Sequence, residues 1–246
     1  MPERLYELFL PRQEGPHPLI VISPALGRVF FLPDLFFEKQ MARFFTKHGF
    51  ATAVVHRDFF NIEREGGLGQ VDRYLEDSVG KIKKSFDELV QREDIDKNRV
   101  VSLGVSFGGM VNILFAAREP RIKAHVFALA GANIPEILTT SRDPLVRLYC
   151  HQILDVCGLG REEFVRSLKA SLQNEPFESA RKIEPDSVLM IIARFDHVVL
   201  PIYSKLLWEA LRKPETLFLP VGHYFTILLL PYLERKALEF FRRKLG

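Results

Sequence analysis

The sequence predicts an α/β fold in which a mostly parallel central sheet carries helices on both faces. Short, continuously apolar runs recur along the chain, and such runs are typical of strands that are buried on both faces. Segments with helical spacing of apolar residues separate these runs, an alternation that favours parallel strands joined by helices. A length of 246 residues fits one large domain, or one domain that carries an insertion.

The first part of the chain contains two predicted buried strands and two predicted helices. Glycine, proline and polar residues bound each of these segments and mark the turns between them. In chain order they are a short mixed run at 5–10, a strand at 19–22, a helix at 34–48, a strand at 51–55 and a long amphipathic helix at 71–92. The next residues, 94–98, are interpreted as a turn.

The rest of the chain repeats this alternation. Predicted strands lie at 100–103, 124–130, 187–193 and 216–219, and predicted helices lie at 110–117, at 202–211 and in a C-terminal region broken at Pro231. The repetition supports a parallel sheet, because strands that all run the same way need a crossover segment between them.

One stretch interrupts the alternation. More than fifty residues between 130 and 187 contain helical spacing, at 144–157 and 162–172, but no strand-like run. A structureless loop of that length is improbable in a compact domain. We therefore predict a helical insertion at residues 134–185, between two parts of one core at 1–133 and 186–246. The alternative is that these helices simply pack on the sheet.

Composition and charge argue against several classes of function. Apolar residues make up 47% of the chain and charged residues 26%, as in ordinary globular proteins, and the net charge of +3 does not favour nucleic acid or anionic membranes. The longest apolar run near the end, 227–230, is far shorter than the ~20 residues that span a bilayer. The first residues are charged where a signal peptide is apolar, so we expect a cytoplasmic protein.

The chain offers no pattern that predicts a metal or a cofactor. Cys150 and Cys157 are too few for a disulfide framework and are interpreted as free thiols in a reducing compartment. No histidine, cysteine and carboxylate grouping has metal-ligand spacing, and the glycines at 66–69 lack the Gly-Lys-Ser/Thr ending of a phosphate-binding loop.

The most informative motif is Gly104-x-Ser106-x-Gly108, which lies between an apolar strand and an apolar helix. Glycines two residues before and after a serine allow a sharp turn that exposes the hydroxyl at its apex. This arrangement is the G-x-S-x-G nucleophile elbow in its required strand–turn–helix context. The alternative interpretation is a glycine-rich turn without catalytic meaning.

A serine nucleophile needs a histidine base and a carboxylate that orients the base. Asp196 and His223 each follow a predicted strand, and the carboxyl ends of parallel strands gather at one edge of a sheet. The chain order is then serine, acid, histidine, as in other proteins with the elbow. Asp196 alone could equally be a helix cap. The strongest rival base is His56, which also follows a strand; the others are poorly placed, namely His17, His48, His125, His151 and His197.

The oxyanion of a tetrahedral intermediate needs two backbone N–H donors. One is expected from Phe107, directly after the serine. The other is expected from the loop that follows the first buried strand, where Pro24 has no N–H to donate. Ala25 and Leu26 remain, and Leu26 is preferred.

Taken together, the elbow, the oxyanion loop and the Asp196 and Gly222-His223 segments resemble the α/β-hydrolase superfamily. The combination of Asp196, Val199 and Pro201 after a late strand with Gly-His after the last strand is specific to that superfamily. The resemblance extends from about Leu19 to the C-terminal helix. It implies that the insertion is a small helical cap over the active site. The departure is Pro24-Ala25, where family members often have His-Gly.

The resemblance implies hydrolysis of a carboxylic ester or thioester through an acyl-enzyme on Ser106, without a cofactor and with a small-molecule substrate. An amidase or peptidase on the same triad is an alternative, and so is a non-catalytic protein that uses the fold to bind a ligand or partner. Phenylalanine is abundant, with 21 residues that include Phe30 and Phe31 beyond the oxyanion loop. This abundance indicates an apolar or aromatic pocket, or ordinary core packing. The oligomeric state is not predicted.

Overall fold

The apolar runs form one seven-stranded sheet in the computed structural model, which describes residues 4–26, 35–58, 60–63 and 65–246. Six described strands run parallel, and the first pairs antiparallel with the third along the chain, so the predicted mostly parallel sheet is confirmed. The spatial order is β1-β3-β2-β4-β5-β6-β7. The strands are β1 (Tyr6–Phe9), β2 (His17–Ser23), β3 (Ala51–Val55), β4 (Ile95–Val105), β5 (Ala124–Ala128), β6 (Val188–Ala193) and β7 (Glu215–Leu219).

Helices cover both faces of this sheet, as the alternation of the sequence predicts. One apolar cluster packs α2, α3 and α8 on one face, and a second packs α1 and α9 on the other. The helices are α1 (Phe36–Lys47), α2 (Gly69–Leu89), α3 (Phe107–Ala116), α4 (Ile134–Thr140), α5 (Pro144–Cys157), α6 (Arg161–Ser171), α7 (Pro176–Ala180), α8 (Pro201–Ala210) and α9 (Leu230–Leu245). No helix in these described ranges is long and apolar enough to cross a membrane.

Two local predictions were wrong. Residues 95–98 belong to β4 rather than to a turn, because β2 pairs with Ile95 and Asp96 before the register shifts between Pro18 and Leu19. Pro231 begins a helix instead of breaking one, since it lies in the first turn of α9. Proline is well tolerated there, because the first N–H groups of a helix have no partner within it.

The segment 134–185 contains four described helices, α4 to α7, and no described strand. Its fully buried Ile153, Phe164 and Ala180 belong to the same apolar cluster as the face of the sheet that carries α3. The segment therefore shares the main core, which fits the alternative of helices packed on the sheet. The thiols of Cys150 and Cys157 lie on α5 and are free.

Parallel strands bring three candidate residues to one edge of the sheet. Ser106 directly follows β4, Asp196 comes three residues after β6, and His223 comes four residues after β7. β4 and β6 both neighbour β5, and β7 pairs with β6. The topology thus places the three side chains along one side of the molecule, although ninety residues separate Ser106 from Asp196 in the sequence.

Candidate active site

Ser106 occupies the apex of a tight turn between β4 and α3. Its φ of 55° and ψ of −121° lie where side chains are rarely accommodated. A Cβ at Gly104 would approach the carbonyl oxygen of Gly108 to 2.4 Å, and a Cβ at Gly108 would approach that of Ser23 to 2.2 Å. The backbone segments at Ser23, Gly104 and Gly108 thus lie too close together for a side chain at either glycine.

Asp196 and His223 form a buried pair. The Nδ1 atom of His223 lies 2.6 Å from Oδ2 of Asp196, and the two residues are 9% and 2% exposed respectively. The other carboxylate oxygen, Oδ1, accepts the backbone N–H groups of Val198 at 2.8 Å and Val199 at 2.9 Å. These two bonds fix the orientation of the carboxylate, so that Oδ2 faces the imidazole. With Nδ1 as donor to Oδ2, the lone pair on Nε2 is available to accept a proton.

Ser106 and His223 line the same cavity, and Asp196 lies behind the imidazole. No hydrogen bond of 3.5 Å or less joins the serine hydroxyl to the histidine ring among the described contacts. Catalytic hydrogen bonds are often long in the free state and shorten when substrate is bound. The shared cavity brings the three sequence-predicted residues into one arrangement.

The loop after β2 is held from two sides at Ala25. Its N–H donates to Oε1 of the buried Glu38 at 3.2 Å, and its carbonyl accepts from Nη1 of Arg57 at 2.7 Å. The Ala25 N–H is thus already engaged, and the next described N–H group of this loop is that of Leu26. Leu26 and Phe107 both line the cavity. Phe107 is the first residue of α3, where N–H groups are free of intrahelical partners.

The cavity has a volume of about 220 Å³ and is mostly apolar. Its ionisable lining groups include the carboxylates of Glu38 and Asp143 and the imidazole of His223. The described lining residues include no lysine or arginine. Side chains from α1, α2, α3, α4 and α5 surround it: Phe37, Met41, Val71, Leu75, Met110, Ile134, Ile137, Leu138, Leu145 and Val146.

An aromatic wall runs from the elbow to the insertion. The ring of Phe107 stacks on Tyr74 with centroids 5.2 Å apart, and Tyr74 contacts Phe60 at 4.8 Å. Phe60 in turn contacts Tyr149 of α5 edge-on at 5.5 Å. All four rings line the cavity. Such pairs add rigidity to a pocket beyond the area that they bury.

Comparisons with known proteins agree with this architecture. No protein-family model matches the chain, and no curated protein matches it. An acetyl xylan esterase from Paenibacillus sp. R4 superposes with a TM-score of 0.76 at 18% identity, over 98% of this chain and 79% of the esterase. The chain has the α/β-hydrolase fold.

Peptidases share this hydrolase fold with the chain over a smaller part of their own length. An acylaminoacyl peptidase from Pyrococcus horikoshii has a TM-score of 0.73 at 15% identity, and a puromycin-hydrolyzing peptidase from Mycobacterium tuberculosis has 0.70 at 20%. Each match covers 98% of this chain, but only 39% and 37% of the respective peptidase. At this identity the likeness concerns the fold.

Within the hydrolase fold, segment 134–185 contacts the loops that contain Asp196 and His223. The Asp143 carboxylate accepts the N–H groups of Leu145 and Val146 at the start of α5, and it also accepts the hydroxyl of Tyr224, the residue after His223. Burial and this carboxylate raise the pKa of Tyr224. Nearby, the N–H of Arg142 donates to the carbonyl of His197, next to the acid, at 2.8 Å. The sequence Asp143-Pro144 signals a helix start, but nothing in it indicates the contact with Tyr224.

The rival histidines lie elsewhere in the hydrolase fold. His56 lines a separate surface depression with Glu88 and Arg92. His125 is buried in β5 and hydrogen-bonds Ser102 at 2.8 Å, and burial lowers its pKa to about 3. Phe30 and Phe31, which the sequence places near the oxyanion loop, lie outside the described residues. Within the described ranges, no group of three or more histidine, cysteine and carboxylate side chains could hold a metal ion.

Proposed function

We propose that this protein is a serine hydrolase that cleaves carboxylic esters or thioesters with an uncharged, apolar acyl group. The observation that carries the proposal is that Ser106 on its strained apex and the oriented imidazole of His223 line one apolar cavity. A turn of this geometry exposes the hydroxyl to a bound carbonyl, and the histidine that is hydrogen-bonded to Asp196 supplies the base that a serine lacks.

In the first half of the reaction, Nε2 of His223 takes the proton of the Ser106 hydroxyl as Oγ attacks the substrate carbonyl carbon. Asp196 stabilises the imidazolium that forms. The N–H groups of Phe107 and Leu26 bind the oxyanion of the tetrahedral intermediate. When the intermediate collapses, the bond to the leaving oxygen or sulfur breaks, and His223 returns the proton to the departing alcohol or thiol.

In the second half, the same groups act on water. His223 takes a proton from a water molecule, whose oxygen attacks the acyl carbon on Ser106. The second tetrahedral intermediate collapses with cleavage of the bond to Oγ, and His223 reprotonates the serine. The products are the carboxylic acid and the regenerated enzyme.

The cavity supports an uncharged acyl group. Its described lining is mostly apolar, and the carboxylates of Glu38 and Asp143 are polar exceptions in it. A charged acyl group would lose its hydration against these apolar walls, which is unfavourable. The aromatic wall and the aliphatic side chains instead favour burial of methylene or aromatic groups, at about 25 cal/mol per Å² of apolar surface.

A fluorophosphonate probe tests the activated serine directly. We expect stoichiometric labelling of Ser106 in the purified protein, and hydrolysis of p-nitrophenyl esters at a measurable rate. Labelling should be lost in His223→Ala and retained in His56→Ala, which removes a histidine that lies outside the cavity. Absence of labelling in well-folded protein would contradict the proposal and favour a non-catalytic binding protein. Rapid cleavage of amides but not of esters would instead indicate that the protein is an amidase or a peptidase.

We further propose that α4 and α5, within the insertion at 134–185, act as the cap that shapes the acyl pocket. Sequence spacing places both Leu148 and Tyr149 on a candidate lining stripe, but the structure separates them. Tyr149 lines the cavity, whereas Leu148 is 52% exposed and does not line it. The two neighbours therefore form a matched pair on one helix.

Tyr149→Ala is expected to change the preferred ester chain length, because it removes one ring from the cavity wall. One methylene of apolar contact is worth about 1–3 kcal/mol in such pockets, so preferences between neighbouring esters should shift by about tenfold or more. Leu148→Ala should leave the profile unchanged. The measurement is kcat/KM over p-nitrophenyl esters from acetyl to decanoyl. A profile that is the same in both variants would show that α5 does not shape the pocket.

A further inference from the structure

A second, smaller cavity of about 90 Å³ lies behind the candidate active site, between the sheet, α1 and α9. We call it the rear chamber; its own walls include Leu103, Ala128, Leu230, Leu233, Glu234 and Ala237. It shares a wall with the main cavity, because six residues line both: Phe37, Met41, Val105, Leu129, Thr226 and Ile227. The two spaces are therefore neighbours.

The shared wall begins beside the nucleophile. Val105 directly precedes Ser106, so a group that is bonded to the serine oxygen starts within one residue of this wall. Met41 stands in the same wall, and its three rotatable bonds allow its side chain to move aside for a narrow chain. An unbranched acyl group on Ser106 thus has a route from the main cavity towards the rear chamber.

The rear chamber contains one polar group that the described structure leaves without a partner. Glu234 is only 9% exposed, and its carboxyl group has no hydrogen bond or ion pair with any described residue. Burial raises its pKa to about 7. The other polar lining residue, Thr226, is satisfied because its hydroxyl donates to the carbonyl of His223 at 2.6 Å. A ligand that donates a hydrogen bond can stabilise a carboxyl group that has lost part of its hydration and has no described protein partner.

We propose that the rear chamber is an acyl-chain subsite, which receives the far end of a medium-length chain and whose Glu234 binds a hydroxyl or amine at that end. The inference rests on the proposed function, since the chain extends from the acyl group on Ser106. The apolar walls bind the methylene groups, and the carboxyl group selects chains that end in a hydrogen-bond donor over plain alkyl chains.

A larger side chain in the rear chamber tests whether the chamber receives the end of the acyl chain. Ala237 is a wall residue that is 1% exposed, and Ala237→Phe would place a ring in the chamber. If that change prevents folding, Ala237→Leu fills the chamber with a smaller aliphatic side chain. We expect kcat/KM for the octanoyl p-nitrophenyl ester to fall at least tenfold, while that for the acetyl ester stays within about twofold. Equal effects on both esters, or none on either, would overturn the subsite.

Replacing Glu234 tests whether its carboxyl group binds a hydroxyl or amine at the end of the chain. The wild-type protein should prefer an 8-hydroxyoctanoyl or an 8-aminooctanoyl ester to the octanoyl ester by about fivefold or more, and the better of the two identifies the donor. Glu234→Leu should reverse this preference. Glu239→Leu, on the exposed side of the same helix, should leave it unchanged. A wild-type protein that prefers the plain octanoyl chain would overturn the role of Glu234.

A binding measurement separates this inference from the proposed function. In the Ser106→Ala background, 1,8-octanediol should raise the melting temperature, because a ligand that binds only the folded state stabilises it. Adding Ala237→Phe should abolish the shift. If the diol binds in this way and no ester is cleaved by the wild type, the proposed function fails while the chamber stands. The opposite result is also informative. If the wild type cleaves esters but the diol does not raise the melting temperature, or raises it equally with Ala237→Phe, the rear-chamber proposal fails and the proposed function stands.

Discussion

Ser106→Ala is expected to fold normally and to lose about 10⁴–10⁶-fold in kcat, the scale on which removal of a triad member acts. The loss follows because no other hydroxyl at the apex can form the acyl-enzyme. The fold should be unaffected, since alanine meets the same backbone conformation as serine and adds no atom between Gly104 and Gly108. Ester hydrolysis and a thermal melt on the same preparation measure the two expectations.

Ser85→Ala is the matched control for this change. Ser85 is buried on α2, its hydroxyl donates to the carbonyl of Lys81 at 2.8 Å, and it does not line the cavity. It should keep wild-type kcat and lose only the modest stability of one hydrogen bond, about 0.5–1.5 kcal/mol. A Ser106→Ala variant that keeps a tenth of wild-type activity would exclude an acyl-enzyme on this residue.

Asp196→Asn is expected to lower kcat by about 10⁴-fold, by analogy with other triads. The geometry of this site explains why the asparagine cannot adapt. The N–H groups of Val198 and Val199 require an oxygen acceptor, so the amide oxygen stays on their side and the NH₂ group faces Nδ1 of His223. The ring must then accept at Nδ1 and carry its proton on Nε2, where the serine proton has to go.

Asp155→Asn on the exposed side of α5 makes the same chemical change away from the cavity, and we expect wild-type kinetics from it. Single-turnover and steady-state rates of ester hydrolysis are the measurements. An Asp196→Asn variant within tenfold of wild-type kcat would mean that His223 does not depend on this carboxylate, and that another group orients the base.

Short-range features of the fold could be predicted from the sequence. Buried parallel strands are continuously apolar, so their positions are visible, and the glycines at 104 and 108 mark the elbow through close backbone contacts. The carboxyl-end rule then gives Asp196, His223 and His56 as candidates, because it depends only on where each strand ends, and the serine, acid, histidine order favours His223 over His56. In the structure His223 lines the same cavity as Ser106, and Asp196 lies behind the imidazole.

Features that depend on long-range packing could not be predicted. The bond between Asp143 and Tyr224 joins residues far apart in the sequence, and neither residue type signals the other. The rear chamber exists because α1, α9 and the sheet leave a gap, and no pattern in the sequence of Glu234 or Ala237 encodes that gap. Similarly, helical spacing shows that Leu148 and Tyr149 share a helix but not which of them faces inward.

The backbone conformation of Ser106 has an energetic consequence. A residue with a side chain in such a rarely populated region lowers folding stability by on the order of 1–3 kcal/mol, a noticeable part of the roughly 5–15 kcal/mol that holds a typical domain together. Glycine adopts positive φ without that penalty. Optimising the chain for stability alone would therefore put glycine at position 106, and the residue that would carry the chemistry is one that folding by itself disfavours.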